Sequence, residues 1–123
     1  MEKIKFFFDT YAFIEILKQN KNYLPYKNCK ILTTKLNLME LHYSILKNVG
    51  KEQADKIYEQ LLKFAIEIPD EIIKKANQFK YLHKKQKLSY IDSIGYVLAK
   101  VKNIKFLTGD KEFQNFPNVE FVK

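Results

Sequence analysis

Short apolar runs alternate with segments of helical period along the whole chain, and this alternation is the feature that most constrains its fold. It is typical of a parallel sheet covered by helices, and it predicts an α/β protein with about five mostly parallel strands flanked by helices. The predicted strands are residues 3–8, 30–33, 65–68, 104–107 and 119–122. The predicted helices are residues 10–18, 36–49, 51–63, 70–85 and 89–103.

The length and composition predict one ordered domain spanning residues 1–123. A chain of 123 residues is in the usual size range of a single domain. Its 46% hydrophobic residues can supply a core, and only three Gly and three Pro argue against disorder.

Cysteine usage and hydropathy favour the cytoplasm. Cys29 is the only cysteine, so it can form neither an internal disulfide nor a zinc cluster. The apolar run near the start is shorter than that of a secretory signal, and no run approaches the length of a membrane-spanning helix. We therefore expect no membrane association.

The charge of the chain favours a polyanionic partner. The formal net charge is +8, and all 22 basic residues are lysine. A basic balance also helps solubility, so nucleic acid is favoured and not proven. Lysine acts as a point charge toward phosphate and lacks the planar fork that reads guanine edges, which favours backbone binding.

Four acidic residues are predicted to meet at one edge of the sheet. Asp9 follows the first strand directly, and Asp110 follows the fourth by two residues. Glu40 and Asp92 lie near helix N-termini, which face the same edge in this architecture. Crowded carboxylates would take up protons unless a cation neutralised them, and oxygen ligands suit Mg²⁺ or Mn²⁺. Such an ion can activate water against a phosphodiester, which is nuclease chemistry.

Four motifs in this order resemble the PIN domain. They are the apolar strand with Asp9-Thr10, Leu38-Met39-Glu40-Leu41, Leu88-Ser89-Tyr90-Ile91-Asp92, and Phe106-Leu107-Thr108-Gly109-Asp110-Lys111-Glu112-Phe113. The match runs from the first strand almost to the end of the sequence, and it implies a three-layer α/β/α fold. The short length is most similar to that of VapC-type toxins of prokaryotic toxin–antitoxin pairs.

The resemblance implies an endoribonuclease that uses Mg²⁺ or Mn²⁺. Its acidic quartet would be Asp9, Glu40, Asp92 and Asp110, with Thr108 supporting the site. It also implies an RNA substrate, a cognate antitoxin and a homodimer. Two departures are Tyr11, where many members have Asn, and the lack of arginine near the site.

Each acid also has a purely structural interpretation. Asp9 could cap the first helix, and Asp92 could be the capping-box partner of Ser89. Asp110 after Gly109 fits a turn, and Glu40 fits a solvated charge early in a helix. The predicted convergence of all four is what favours a metal site.

The remaining polar candidates are weaker. His42 and His83 lie on apolar helix faces and are predicted to be core or boundary residues, although they leave open a metal-free mechanism with two histidines. Lys111, beside Asp110, is the best single candidate for a phosphate contact. The lysine-rich stretch 74–87, with Tyr81, could track RNA or could be a solvated helix face.

Two other functions compete with the nuclease. A module with the same fold could bind RNA or a protein without catalysis. An aspartyl-phosphate regulatory domain would need an acidic pair after the first strand, where this chain has only Asp9.

Overall fold

A five-stranded parallel sheet forms the centre of the protein, which is described by a computed structural model for residues 3–123. All four strand pairs are parallel, and the strand order is β3-β2-β1-β4-β5. The strands are β1 Lys5–Phe8, β2 Lys30–Thr34, β3 Ala65–Ile66, β4 Lys105–Thr108 and β5 Val119–Phe121.

Five α-helices connect and cover the strands. They are α1 Thr10–Leu17, α2 Lys35–Asn48, α3 Lys51–Leu61, α4 Asp70–Leu82 and α5 Tyr90–Val101. Three short 3-10 helices occupy Lys21–Tyr26, Leu62–Phe64 and Lys111–Phe113. The predicted alternation of strands and helices is confirmed, and every predicted strand and helix exists.

The helices form two layers, one on each face of the sheet. Successive side chains of a strand point to opposite faces, so Phe7 packs in a cluster with residues of α4 and α5. Phe6 and Phe8 pack in a second cluster with residues of α1, α2 and α3. The result is the expected three-layer α/β/α arrangement.

Backbone conformations explain where several helices end. Gly50, with φ of 141°, separates α2 from α3 as predicted. Asn103 adopts a left-handed φ of 57° two residues after the end of α5, so the chain leaves the helix at the residue that the sequence indicated.

Helix α4 is three residues shorter than predicted. It ends at Leu82 because His83 leaves the helical region, with φ of −112° and ψ of 33°. The Nδ1 atom of His83 lies 3.0 Å from the carbonyl oxygen of Phe79, so its imidazole contacts the last turn. His83 is therefore a boundary residue, as predicted.

The 3-10 helix Lys21–Tyr26 was not predicted. Tyr23 within it is fully buried, and its hydroxyl donates to the carbonyl oxygen of Val122 at 2.6 Å. This contact joins segments about 100 residues apart, so no local pattern could reveal it.

The strand order places a topological switch point between β1 and β4. The chain moves from β1 to β2 on one side, whereas β4 pairs with β1 on the other side, through Phe8 and Leu107 among others. Ligands of parallel sheets bind outside the carboxyl ends of strands at such a point. Asp9 and the Thr108–Asp110 segment both lie there.

No helix within residues 3–123 is both long enough and apolar enough to cross a membrane.

Candidate active site

A cleft of about 740 Å³ opens at the carboxyl ends of β1 and β4. All four acids singled out in the sequence line it, so the predicted convergence occurs. The lining residues are Asp9, Thr10, Tyr11, Ile14, Met39, Glu40, Tyr43, Ile91, Asp92 and Asp110. Its walls are therefore largely apolar around a strongly acidic floor.

Asp9 is the most deeply buried acid of the cleft, with only 3% of its surface exposed. It caps α1, and its Oδ1 accepts a hydrogen bond of 2.9 Å from the Thr10 amide. Its Oδ2 accepts one of 2.7 Å from the Thr108 hydroxyl. Burial, reinforced by the charge of Asp92, raises the pKa of Asp9 to about 8 in spite of these bonds.

Glu40, in the second turn of α2, is positioned by a buried chain of polar side chains. The Thr10 hydroxyl donates to its Oε1 at 2.7 Å. The same Thr10 oxygen accepts from Asn37 Nδ2 at 3.2 Å, and Asn37 Oδ1 accepts from the Thr34 hydroxyl at 2.7 Å. This series of hydrogen bonds connects the end of β2 and the first residue of α1 to the Glu40 carboxylate.

Asp92 is both a helix cap and a cleft residue. Its amide donates to the Ser89 hydroxyl at 3.0 Å, and its Oδ2 accepts from the Ser89 amide at 3.3 Å. These two bonds form the predicted capping box at the start of α5. Burial raises the pKa of Asp92 to about 6, and the nearby carboxylates of Asp110 and Glu40 act in the same direction.

Thr108 connects the two acids that follow β1 and β4. Its hydroxyl donates to Asp9 and accepts a hydrogen bond of 3.1 Å from the Asp110 amide. Asp110 in turn caps the short 3-10 helix after it, because its Oδ1 accepts from the Glu112 amide at 3.0 Å. One threonine thus fixes the spacing of both strand ends.

Gly109 allows the chain to pass through a crowded point beside the cleft. A Cβ atom at this position would collide with the Tyr11 ring and with the carbonyl oxygen of Val122. Tyr11, the departure from the family pattern, therefore occupies the space that the glycine leaves free.

The family model for the PIN domain matches residues 6–119 of the sequence, a range that contains all four acids and Thr108. The chain belongs to the PIN-domain family. None of the curated proteins is significantly similar to it in sequence.

Solved structures share the fold of this PIN domain over nearly its whole length. VapC20 of Mycobacterium tuberculosis, a sarcin-ricin loop cleaving toxin, has a TM-score of 0.78 at 16% identity, covering 96% of this chain and 99% of that chain. VapBC2 from Rickettsia felis, bound to a promoter DNA fragment, has a TM-score of 0.71 at 20% identity, with coverage of 98% and 100%. A toxin–antitoxin complex from Klebsiella pneumoniae has a TM-score of 0.70 at 19% identity, with coverage of 92% and 93%.

The donor set of the PIN-domain cleft suits a hard divalent cation. Asp92 Oδ1, Asp110 Oδ2 and Glu40 Oε2 accept no hydrogen bond from within residues 3–123, so each is free to bind an ion. Carboxylate oxygens are the ligands that Mg²⁺ and Mn²⁺ prefer. Burial is the main cause of the raised pKa of Asp9, and the charges of Asp92 and Glu40 raise it further, so a cation beside Asp9 would favour its charged form.

The acids line the cleft without enclosing a single point. Among residues 3–123, no three Asp, Glu, His or Cys side chains are close enough to hold one ion as they stand. The carboxylates of Glu40, Asp92 and Asp110 are nevertheless partly exposed at this open cleft.

The other predicted candidates lie outside this cleft. Lys111 is exposed beside Asp110 and is not part of the cleft lining. His42 is a boundary residue whose Nε2 lies 2.7 Å from Asp55 Oδ1 on α3. Because His42 and His83 are on opposite faces of the sheet, on α2 and after α4, a mechanism that uses both of them has no common site.

Sequence reasoning missed Asn37 and Thr34 and gave Thr10 no role of its own. The available signal was a polar residue on an apolar helix face. Asn37 lies four residues before Leu41, which lies four residues before Ile45, so the three share one face of α2. In the structure Asn37 is only 1% exposed. A buried Asn requires partners, and here it finds them in Thr34 and Thr10.

Proposed function

We propose that this PIN domain is a single-domain endoribonuclease that hydrolyses RNA phosphodiester bonds with Mg²⁺ or Mn²⁺ in the cytoplasm. The observation that carries the proposal is the convergence of Asp9, Glu40, Asp92 and Asp110 from four separate segments on one cleft. Helix capping explains Asp9, Asp92 and Asp110 individually, and a partly solvated charge explains Glu40, but neither explains why the four share one concavity.

The proposed roles follow from the contacts of each side chain. Asp9 is the fixed member, because Thr108 and the Thr10 amide hold both of its oxygens. Asp92 and Asp110 each keep one oxygen free toward the cleft, and Glu40 is oriented through Thr10. When bound, a divalent ion lowers the pKa of water and stabilises the charge that develops on the phosphate.

Lys111 is the proposed phosphate contact outside the acidic floor. Its side chain is exposed and adjacent in sequence to Asp110, so an extended lysine can reach a phosphate at the rim. Its charge partly offsets the repulsion that an RNA backbone meets at the carboxylates.

We further propose that the chain is the toxin of a toxin–antitoxin pair, with a cognate antitoxin and a homodimeric state. The support is the fold shared with VapC20 and with the VapBC complexes. Exposed apolar residues at the cleft are consistent with a protein partner there, since Met39 and Tyr43 are 54% and 64% exposed.

One observation favours a second function, an inactive module that binds RNA or protein. Within the described residues the acids do not form a ready ion cage, and each one already has a structural hydrogen bond. RNA affinity without metal-dependent turnover would identify this case.

Cleavage of total RNA with Mg²⁺, with Mn²⁺ and with chelator tests the proposal. We expect turnover only with the metal, and products with 5′-phosphates and 3′-hydroxyls, as required when water attacks phosphorus and the 3′-oxygen leaves. Asp9→Asn and Asp92→Asn should abolish cleavage with circular dichroism unchanged, whereas Asp70→Asn, at an exposed acid that starts α4, should not. A 2′,3′-cyclic phosphate product would contradict the mechanism, and full activity of either site variant would remove that residue from it.

A further inference from the structure

A basic and aromatic surface lies beside the cleft. Residues 74–87 contain six lysines and no acid. Within residues 3–123, none of these lysines forms an ion pair with an acidic side chain. Two tyrosines at this surface are largely exposed, Tyr81 at 68% and Tyr90 at 67%. We call Lys80, Tyr81, Lys84, Lys87 and Tyr90 the lysine–tyrosine platform.

Lys80 fixes the geometry of this platform. Its Nζ donates to the carbonyl oxygen of Leu88 at 2.7 Å and lies 4.9 Å from the centre of the Tyr90 ring. Leu88 is itself buried, so the ammonium group is attached to a rigid point. A cation over one ring face restrains Tyr90 while most of the ring stays exposed. The contact with Lys80 therefore favours one orientation of the exposed Tyr90 ring.

The platform adjoins the acidic cleft through two connections. Tyr90 is the first residue of α5 and directly precedes Ile91 and Asp92, which line the cleft. The Lys87 amide donates to Glu112 Oε2 at 3.4 Å, two residues beyond Asp110. A strand of RNA whose phosphate occupies the cleft can thus continue directly onto the platform.

The chemistry of the platform matches single-stranded RNA better than an acidic protein. Lysines attract both partners, but an exposed ring beside them adds stacking that only a base can fully use. The cation at Lys80 covers one ring face, and the Tyr81 ring is likewise approached by Lys84 Nζ at 4.8 Å. Each of these two exposed rings thus has an ammonium group beside it, a pairing that suits a stacked base and its phosphate.

We infer that Tyr90, held by Lys80, stacks on an unpaired base adjacent to the scissile phosphate of RNA, while Lys84 and Lys87 contact the neighbouring phosphates. This inference rests on the proposed ribonuclease function and extends it to single-stranded segments of RNA. Tyr90 is a substrate-positioning residue and takes no part in bond cleavage.

The chain offers a direct spectroscopic test because it contains no tryptophan. A Tyr90→Trp variant then has a single indole, whose fluorescence should fall when poly(U) is added in the presence of chelator, without cleavage. Heparin and polyglutamate carry charge but no base, so they should leave the emission nearly unchanged. A matched Leu24→Trp variant places the indole at a 52% exposed position of the 3-10 helix Lys21–Tyr26, outside the lysine–tyrosine platform, and should not respond.

Affinity measurements complete the test. Tyr90→Ala should weaken poly(U) binding by about five- to a hundredfold, the usual value of one base stacked on an aromatic ring, whereas Tyr90→Phe should bind nearly as the native chain does. If cleavage occurs, Tyr90→Ala should raise KM with little change in kcat.

Two results would overturn the inference. One is poly(U) binding that leaves the Tyr90→Trp emission and the Tyr90→Ala affinity unchanged, and the other is equal quenching by polyglutamate, which would indicate an acidic protein partner. Absence of cleavage together with base-dependent quenching would refute the ribonuclease and retain the stacking surface, so the two failures are distinguishable.

Discussion

Individual carboxylates in this cleft serve the fold and the proposed chemistry with different oxygen atoms. Asp92 uses Oδ2 in the capping box of α5, and Asp110 uses Oδ1 to cap the following turn. The second oxygen of each side chain stays available to the cleft. Asp9 is the exception, because both of its oxygens accept hydrogen bonds and its burial is nearly complete. The free-energy cost of ionising the Asp9 carboxyl group should therefore dominate the pH dependence of the site.

Asp9 should make the metal-free protein less stable as the pH rises. The ordinary pKa of an Asp side chain, which applies to the unfolded chain, is 3.8, whereas the pKa of Asp9 in the folded protein is about 8. Between these two pH values the folded state therefore binds more protons than the unfolded state. Linkage then requires the free energy of unfolding to fall from about pH 4 to about pH 8. We expect Asp9→Asn to be at least about 1 kcal/mol more stable than the native chain at pH 8 in chelator, with the difference shrinking toward pH 5.

Urea unfolding at several pH values, with and without Mn²⁺, measures this effect. Mn²⁺ should stabilise the native chain and leave Asp9→Asn almost unaffected, since the ion offsets the buried charge. A native chain that is more stable at pH 8 than at pH 5 in chelator would show that Asp9 is not the dominant charge.

Thr10 should be essential to the orientation of Glu40. Thr10→Val removes the hydroxyl that donates to Glu40 and accepts from Asn37, leaving a buried amide without its partner. We expect a loss of about 1–3 kcal/mol in the free energy of unfolding. Thr10→Ser keeps the hydroxyl and serves as the control. Destabilisation by Thr10→Ser as large as that by Thr10→Val would contradict this role of the hydroxyl, because only Thr10→Val removes it.

At the scale of elements, a glycine allows α5 to pack closely against the sheet. Gly95 faces the sheet, and a Cβ atom there would lie 2.8 Å from Phe7 Cε1 and 3.1 Å from Phe106 Cε1. These two rings stack on one another at 5.8 Å on neighbouring strands, so they have little freedom to move apart. The glycine therefore sets the distance between this helix and the β1–β4 pair.

Gly95→Ala should destabilise the protein although alanine is the better helix former. Propensity alone favours alanine by about 1 kcal/mol, but overpacking typically costs about 1–3 kcal/mol. We expect a net decrease in the denaturation midpoint. Lys100→Ala, at an exposed position of the same helix, should change it little. An increase in the Gly95→Ala midpoint would mean that the rings yield.

The sequence predicted elements and acids better than it predicted their connections. The order of strands and helices and the edge occupied by Asp9 and Asp110 follow from hydrophobic period and strand ends, which are local signals. The buried hydrogen bonds from Thr34 through Asn37 and Thr10 to Glu40 join three elements, and the one local signal, a polar Asn37 on an apolar helix face, does not identify its partners. The early end of α4 depends on a contact of the His83 ring, which the helical period also could not reveal.

At the scale of the whole molecule, charge is segregated. The net charge is +8, yet the cleft concentrates four acids, while the lysine-rich stretch 74–87 beside it carries none. Phosphates should therefore be attracted mainly at the rim. Because such attraction releases counterions, RNA affinity should depend strongly on salt.

The salt dependence of poly(U) binding should identify the lysines responsible. Each phosphate contact of a single strand contributes a slope of about −0.7 in log affinity against log salt concentration. Lys84→Gln combined with Lys87→Gln should flatten the slope by about 1.4. Lys27→Gln combined with Lys30→Gln, at the opposite edge of the sheet, should leave it unchanged. Identical slopes for both pairs would mean that the attraction is spread over the whole surface.

The pairing of β1 with β4 also has a consequence for the timing of biosynthesis. Asp9 and Asp110 reach one another only through strands separated by nearly the whole chain, and Thr108 supplies the bond that joins them. A nascent chain that has not yet been synthesised as far as Thr108 lacks Asp110. It also lacks the complete strand β4, which pairs with β1 and places Asp110 near Asp9. Under the proposed ribonuclease function, such a chain would not cut its own message or ribosome during most of its synthesis.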